Sequence, residues 1–235
     1  MFARKKDEPS VEPVSWNGAG WFVIGDVVRP AASRRKALTG PWAVRVPDIQ
    51  EGVRYYAPTA LVSRSDGEIP SYELYEASEP GGSLCSLTPL KGGARYRVTD
   101  AQGQEVGVVH RTPAAKRAVQ HGWWLQQPGH PHIVARYHWA KGSAKEIAAR
   151  GREKAVRGAG GLVGGVVDSV FGLGAEGGDQ SGGSYTPKPV TWRAEGEDEA
   201  VVLTSGHTEG FRTYVPVASW LDRRLAFAVA VLREA

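Results

Sequence analysis

The chain has 235 residues, of which 41% are hydrophobic, and its formal net charge is +4 at pH 7. Its single cysteine, Cys85, excludes an intramolecular disulfide and a metal site built only from thiolates. A charge this small does not call for nucleic acid as a partner, and no apolar run reaches the ~18 residues of a membrane-spanning helix.

The first twenty residues, 1–20, predict a disordered tail. Lys5-Lys6-Asp7-Glu8-Pro9 is highly charged, and no apolar stretch resembles a signal peptide. We therefore expect a cytoplasmic protein. A basic triplet, Arg34-Arg35-Lys36, follows the first predicted strand and is a secondary candidate for contact with an anionic surface. An isolated triplet is usually solvated, so we assign it no nucleic-acid partner.

Residues 21–141 and 190–235 predict one β-rich domain, because short runs of strand-forming residues alternate with turns rich in Gly and Pro. The clearest pair, 95–99 and 104–111, is joined by a turn and predicts a hairpin. We count ten to twelve strands, a number suited to a sandwich or closed barrel, and no strand–helix–strand alternation. The predicted strands are 21–28, 42–46, 52–58, 72–76, 84–90, 95–99, 104–111, 122–127, 132–139, 191–194, 200–205 and 211–215.

The C-terminal segment predicts a buried helix over 219–234. Ser219-Trp220-Leu221-Asp222 is similar to a capping box with Asp in place of Glu, and Leu225–Leu232 is apolar without a break. A helix that is apolar on every side is buried on every side. The helix could pack on one sheet as an ordinary core helix. The alternation of Ala with larger residues favours instead a closed antiparallel β-barrel around this helix.

The hairpin 96–109 and the C-terminal helix carry a resemblance to a known family. Tyr96–Val109 follows the pattern Y-x-V-x-D-x-x-G-x-x-x-G and, like Trp220–Leu232, resembles a stretch of the tubby-like superfamily, which includes phospholipid scramblases and LURP-one-related proteins. The resemblance implies a closed barrel and an affinity for anionic membrane surfaces, with a peripheral location at the inner face of the membrane. The chain has neither a Cys-rich palmitoylation stretch nor an acidic calcium loop, so calcium-dependent lipid scrambling is not implied.

Residues 142–189 interrupt the strand pattern and predict a basic, Gly-rich helical insertion followed by a flexible linker. Ser143-Ala144-Lys145-Glu146 is a capping box for a helix whose basic residues share one face. In 158–173, glycines form a narrow face and apolar residues a broad one. Each glycine weakens a helix in water by about 1 kcal/mol relative to Ala. This helix therefore needs a partner surface: a membrane, a second copy or the barrel.

A basic segment joined to an apolar one is typical of an interfacial anchor. We predict that 142–173 binds anionic phospholipid or a membrane surface. A flexible surface loop remains an alternative. Another is an interaction scaffold in which 158–173 docks a partner protein or a second copy, since its GxxxG spacings permit close helix packing. The predicted contact residues are Lys145, Arg150, Arg152, Lys154, Arg157, Leu162, Val166, Val170 and Phe171.

We predict no catalytic residue, no metal site and no cofactor, and expect that the protein is not an enzyme. The histidines around 130–138 have no acidic or cysteine ligand close by. The serine of a possible triad lies in no G-x-S-x-G elbow, and the glycine run 158–161 lacks the P-loop lysine. The residues concerned are His130, His132 and His138 for a metal, and Ser205, His207 and Asp222 for a triad.

Overall fold

The computed structural model describes residues 11–79, 81–112, 122–137, 189–196 and 199–235. Within these residues, twelve antiparallel strands form a closed barrel around one α-helix. The elements are β1 Phe22–Arg29, β2 Leu38–Gln50, β3 Val53–Arg64, β4 Tyr72–Glu76, β5 Ser83–Pro89, β6 Arg95–Asp100, β7 Glu105–Arg111, β8 Trp123–Gln126, β9 Ile133–Tyr137, β10 Val190–Ala194, β11 Val201–Thr208, β12 Phe211–Pro216 and helix α1 Arg223–Glu234.

Every strand pairs with the next one along the chain, and the last strand closes on the first. Phe22 of β1 pairs with Tyr214 of β12, and Val23 pairs with Thr213. Closure gives each strand two partners and leaves no sheet edge open to another chain. The predicted mainly β fold, a closed antiparallel barrel of ten to twelve strands, is confirmed.

Helix α1 fills the barrel. All seven residues from Leu225 to Val231 are 0% exposed, and the helix contacts β1, β5, β6, β7 and β12. The Phe227 ring packs edge-on against Phe22 at 4.8 Å between centroids, and Phe22 stacks on Tyr214 at 5.5 Å. The alternating small and large side chains let strands approach the helix from several directions. The prediction of a helix threaded through a barrel, rather than packed on one sheet, is confirmed.

The start of α1 differs from the predicted capping box. Ser219 and Trp220 lie in a turn, and the helix begins only at Arg223. Asp222 is the N-cap, since its Oδ1 accepts a hydrogen bond from the Arg224 backbone N–H at 2.9 Å. A short side chain on the N-cap residue itself satisfies the free amides of the first turn. Asp222 therefore takes the role that the sequence pattern assigned to Ser219.

The β6–β7 turn explains the glycine spacing of the hairpin motif. Asp100 Oδ1 accepts hydrogen bonds from the backbone N–H groups of Gln102 and Gln104, and Gly103 has a φ of +78° that favours glycine. At Gly107, an added Cβ would overlap the Gln126 carbonyl oxygen and lie 3.1 Å from Leu225 Cδ2. Gly107, the second glycine of the motif, is thus required because β7 lies close to both β8 and α1 at this point.

Two further expectations about the elements are corrected. Residues 11–20, expected in a disordered tail, pack against the barrel: Trp16 Nε1 donates to Glu76 Oε1 at 2.7 Å, and Ala19 is buried. Strands β2 and β3 are also much longer than predicted. Both strands continue through prolines, Pro47 in β2 and Pro58 in β3, although proline has no N–H for the ladder. The predicted insertion 142–189 lies almost wholly outside the described residues.

Candidate functional site

The residues predicted for membrane contact fall in two places. Arg34, Arg35 and Lys36 are exposed in the turn between β1 and β2. A backbone bridge between Ala32 and Arg35 and a hydrogen bond from Arg29 Nη2 to the Lys36 carbonyl at 3.1 Å hold this turn. The predicted anchor residues all lie outside the described residues; they are Lys145, Arg150, Arg152, Lys154, Arg157, Leu162, Val166, Val170 and Phe171.

The described residues nevertheless locate the attachment points of the predicted anchor. Tyr137 at the end of β9 pairs with Val190 at the start of β10, and Val190 also pairs with Ser205 of β11. Arg233, in the last turn of α1, donates from Nη1 to Ser205 Oγ at 3.2 Å. The connection 138–189 therefore begins and ends at the end of the barrel where α1 terminates.

A cleft of about 320 Å³ opens at this same end, beside Leu232 in the last turn of α1. We call it the mouth cleft. Buried Tyr72, Val109 and Trp123 lie at its base, and the Tyr72 and Tyr96 rings lie 6.3 Å apart between centroids. The turns β3–β4 and β5–β6 contribute the rest of the lining.

Two arginines line the mouth cleft. Arg64 ends β3 and Arg111 ends β7, both side chains are exposed, and the Arg111 guanidinium lies 5.6 Å from the Trp123 ring centroid. Neither arginine forms an ion pair with any of the described residues. Glu68 and the C-terminal residue Ala235, which carries the α-carboxylate, also line the cleft, so its two guanidinium groups are matched by two acidic groups.

The two tyrosine hydroxyls of the mouth cleft remain protonated at neutral pH. Burial raises the pKa of Tyr72, and it also raises the pKa of Tyr96 in spite of the opposing charges of Arg111 and Arg64. Within the described ranges, neither hydroxyl forms a hydrogen bond. The cleft is therefore lined by two arginines and two protonated tyrosines.

A second cleft, of about 340 Å³, is lined by an arginine that is buried, unlike the exposed arginines of the mouth cleft. Val28, Leu38 and Leu61 help to line it, and Arg45 at its base is 1% exposed. The Arg45 guanidinium donates to the carbonyl oxygens of Gly25, Tyr56 and Pro41 at 2.9, 3.1 and 2.6 Å. Burial lowers the pKa of Arg45, and a nearby aspartate opposes this effect. Arg45 ties β1, β2 and β3 together and is structural.

The residue types considered for catalysis or metal binding do not form a common site. Ser205 lies by the C-terminal end of α1, whereas Asp222 caps its N-terminal end. His130 stacks on Trp220 and His132 on Trp124; His138 lies outside the described residues. In the described part of the chain, no three His, Cys, Asp or Glu side chains are grouped as a metal site.

Cys85 is not a reactive thiol. It is 0% exposed in β5, and burial raises its pKa to about 12. A cysteine reacts as its thiolate, and burial in apolar surroundings keeps Cys85 protonated.

No protein-family model matches this chain, and no curated protein matches it. The resemblance to the tubby-like superfamily therefore rests on the two stretches quoted above. Among the described residues, helices are too short to cross a bilayer.

Proposed function

We propose that this protein is a non-enzymatic module that binds an anionic membrane surface or phospholipid, with 142–173 as its interfacial anchor. One observation carries the proposal: both attachment points of the anchor and the arginine-bearing mouth cleft lie at the end of the barrel where α1 terminates. A membrane that contacts this end would meet the anchor and the cleft together.

The filled barrel supports binding at the surface rather than inside. Because Leu225–Val231 occupy the interior completely, an apolar ligand has no chamber there among the described elements. The composition of the anchor supplies the two forces that a peripheral protein uses. Each Lys or Arg near an anionic bilayer contributes about 1 kcal/mol, and the apolar half adds burial on contact.

Co-sedimentation with anionic vesicles tests the proposal. We expect the whole chain to sediment at low salt, and a chain lacking 142–183 to sediment far less. Arg150→Glu with Lys154→Glu should abolish most binding at low salt, because it reverses the charges that attract anionic lipid. At physiological salt this attraction is screened beyond about 8 Å. Phe171→Ser with Val170→Ser should leave weak binding that is lost at high salt. Neutral vesicles are the control.

The alternative is an interaction scaffold in which 158–173 docks a protein or a second copy. The spacings Gly160/Gly164 and Gly161/Gly165 favour this alternative, since small residues permit close helix packing. It predicts that vesicles do not bind, and that the apolar double substitution changes the molecular mass measured by light scattering. Wild-type protein that does not sediment with anionic vesicles at low salt rejects the membrane proposal.

A further inference from the structure

We propose that the second cleft binds a small amphipathic carboxylate, with the buried Arg45 guanidinium as its counter-charge and the apolar walls in contact with a short hydrocarbon chain. The cleft lies where β1, β2 and β3 meet residues 11–13 and Ala77, just after β4. It shares no lining residue with the mouth cleft. The inference therefore does not rest on the proposed function.

The charge of Arg45 has no acidic partner. Arg45 is 1% exposed, and its three hydrogen bonds all go to neutral backbone carbonyl oxygens, those of Gly25, Pro41 and Tyr56. Asp26 opposes the fall in the pKa of Arg45 that burial causes, but Asp26 is exposed. Within the described part of the chain, no carboxylate forms an ion pair with Arg45. Buried charges in proteins are normally paired, so this one favours an anionic ligand.

Arg45 also keeps hydrogen-bond donors for such a ligand. A guanidinium has five N–H donors, and the carbonyl bonds use one each on Nε, Nη1 and Nη2, so one donor on each Nη is left. Gly40 leaves space beside them, because a Cβ added there would lie 3.2 Å from Arg45 Nη2 and 3.1 Å from Val28 Cγ2. Val28 is half-buried and lines the cleft, so this space lies between the guanidinium and the cleft wall.

The walls of the cleft determine the class of anion. Apart from Arg45, every lining residue is apolar, and each of these is half-buried or exposed. A doubly charged phosphate would lose more hydration energy in apolar surroundings than a carboxylate, which carries a single charge. Val28, Leu38 and Leu61 offer contact surface to a hydrocarbon chain, and a volume of about 340 Å³ accommodates a chain of several carbons. One negative charge and one short apolar chain therefore fit the cleft.

Titration calorimetry of the whole chain with octanoate tests the site. Octanol has a chain of the same length without the charge, and acetate has the charge without the chain. We expect octanol and acetate to bind at least about tenfold more weakly than octanoate, because each lacks one of the two interactions. Octanol that binds as tightly as octanoate rejects the role of the carboxylate, and acetate that does so rejects the role of the chain.

A pair of substitutions at Val28 tests the role of the Arg45 charge. Val28→Glu places a carboxylate beside Arg45 and should abolish octanoate binding, because it both neutralises the guanidinium and repels the ligand. Val28→Gln has nearly the same shape without the charge and should retain most of the binding. Arg45 itself is less suitable for substitution, since its loss would leave three carbonyl oxygens without their donor.

A pair of glycine substitutions tests the space beside the guanidinium. Gly40→Ala should weaken octanoate binding by about tenfold, because its Cβ covers Arg45 Nη2 and a lost charge-assisted hydrogen bond has an effect of this size. The control is Gly206→Ala in β11, outside the cleft, where the Cβ makes an ordinary contact. It should bind octanoate as wild-type protein does.

Thermal unfolding checks that each variant is folded, and the comparison of octanoate with octanol on wild-type protein decides even if a variant does not fold. The site is rejected if wild-type protein does not bind octanoate, or if Val28→Glu binds it as well as Val28→Gln. Octanoate binding without vesicle sedimentation supports the site and rejects the membrane function. Vesicle sedimentation without octanoate binding supports the membrane function and rejects the site.

Discussion

The arginines near the two ends of α1 differ in their charged partners. At the N-terminal end, Arg224 Nη2 lies 2.7 Å from Asp222 Oδ2, and Arg224 Nη1 lies 3.9 Å from Asp100 Oδ2. Gln127 braces the same end, since its Nε2 donates to the Trp220 carbonyl and its Oε1 accepts from the Asp222 N–H. At the C-terminal end, the arginines of the mouth cleft have no acidic partner among the described residues. The C-terminal end has an ion pair of its own, since Arg212 Nη1 lies 3.2 Å from Glu234 Oε1, so the difference between the ends is confined to the two arginines of the mouth cleft.

The C-terminal end is not loosely packed, however. Arg233 stacks on the Trp192 ring at 4.8 Å, and the Tyr214 hydroxyl donates to Glu234 Oε1 at 2.9 Å. These contacts fix the last turn of α1 against β10 and β12. The cleft opens on the other side of that turn, towards β3–β8. A rigid helix end therefore supports an open cleft that carries two arginines, and binding there need not disturb the core.

The largest effect on folding is expected from substitutions in the middle of α1, between its two ends. Val229→Asp should prevent soluble folding, because an unpaired charge in an apolar core costs several kcal/mol. Ala228→Asp should do the same. The control is Val217→Asp, since the Val217 side chain is 54% exposed. A soluble Val229→Asp protein with native-like thermal unfolding would contradict the buried helix.

A smaller effect is expected from one glycine at each end. Gly107→Ala places a Cβ against the Gln126 carbonyl oxygen and Leu225, and overpacking of this kind typically costs about 1–3 kcal/mol. Gly206→Ala, near the C-terminal end of α1, places its Cβ 3.6 Å from Thr213 Oγ1, an ordinary contact. Urea unfolding of both variants compares the two ends. Equal stabilities would show that the N-terminal end can expand without cost.

The smallest effect is expected from removing the predicted anchor. A short Gly-Ser linker in place of 142–183 should leave the barrel folded, with unfolding free energy changed by less than about 1 kcal/mol. Tyr137 and Val190 are paired neighbours about 5 Å apart, so few residues are needed to join them. A Gly-Ser segment of the same length as 142–183 is the control, because it separates the effect of the length of the segment from the effect of its composition. A deletion that abolishes folding would place the segment in the core and remove the basis of the anchor proposal.

Much of the fold was predictable because its signals are local. Each of the twelve observed strands overlaps a predicted one, since alternation of polarity and turn residues act over a few neighbouring positions. The uninterrupted apolar run of α1 favoured burial on every side in a barrel over packing on one sheet, and the structure decided between the two. The errors concern the ends of elements: tertiary pairing carries β2 and β3 through their prolines, and the Asp222 side chain starts the helix three residues after the predicted cap.

The sequence by itself determined the strands, the buried helix and a basic, Gly-rich segment between β9 and β10. Only the tertiary structure brought Arg64, Tyr72, Tyr96, Arg111 and Trp123 into one cleft, because they come from five different strands and share no spacing along the chain. Only the tertiary structure, likewise, distinguished arginines with partners from those without. Identical side chains have different roles in this barrel because burial and charge compensation depend on neighbours that are distant in sequence.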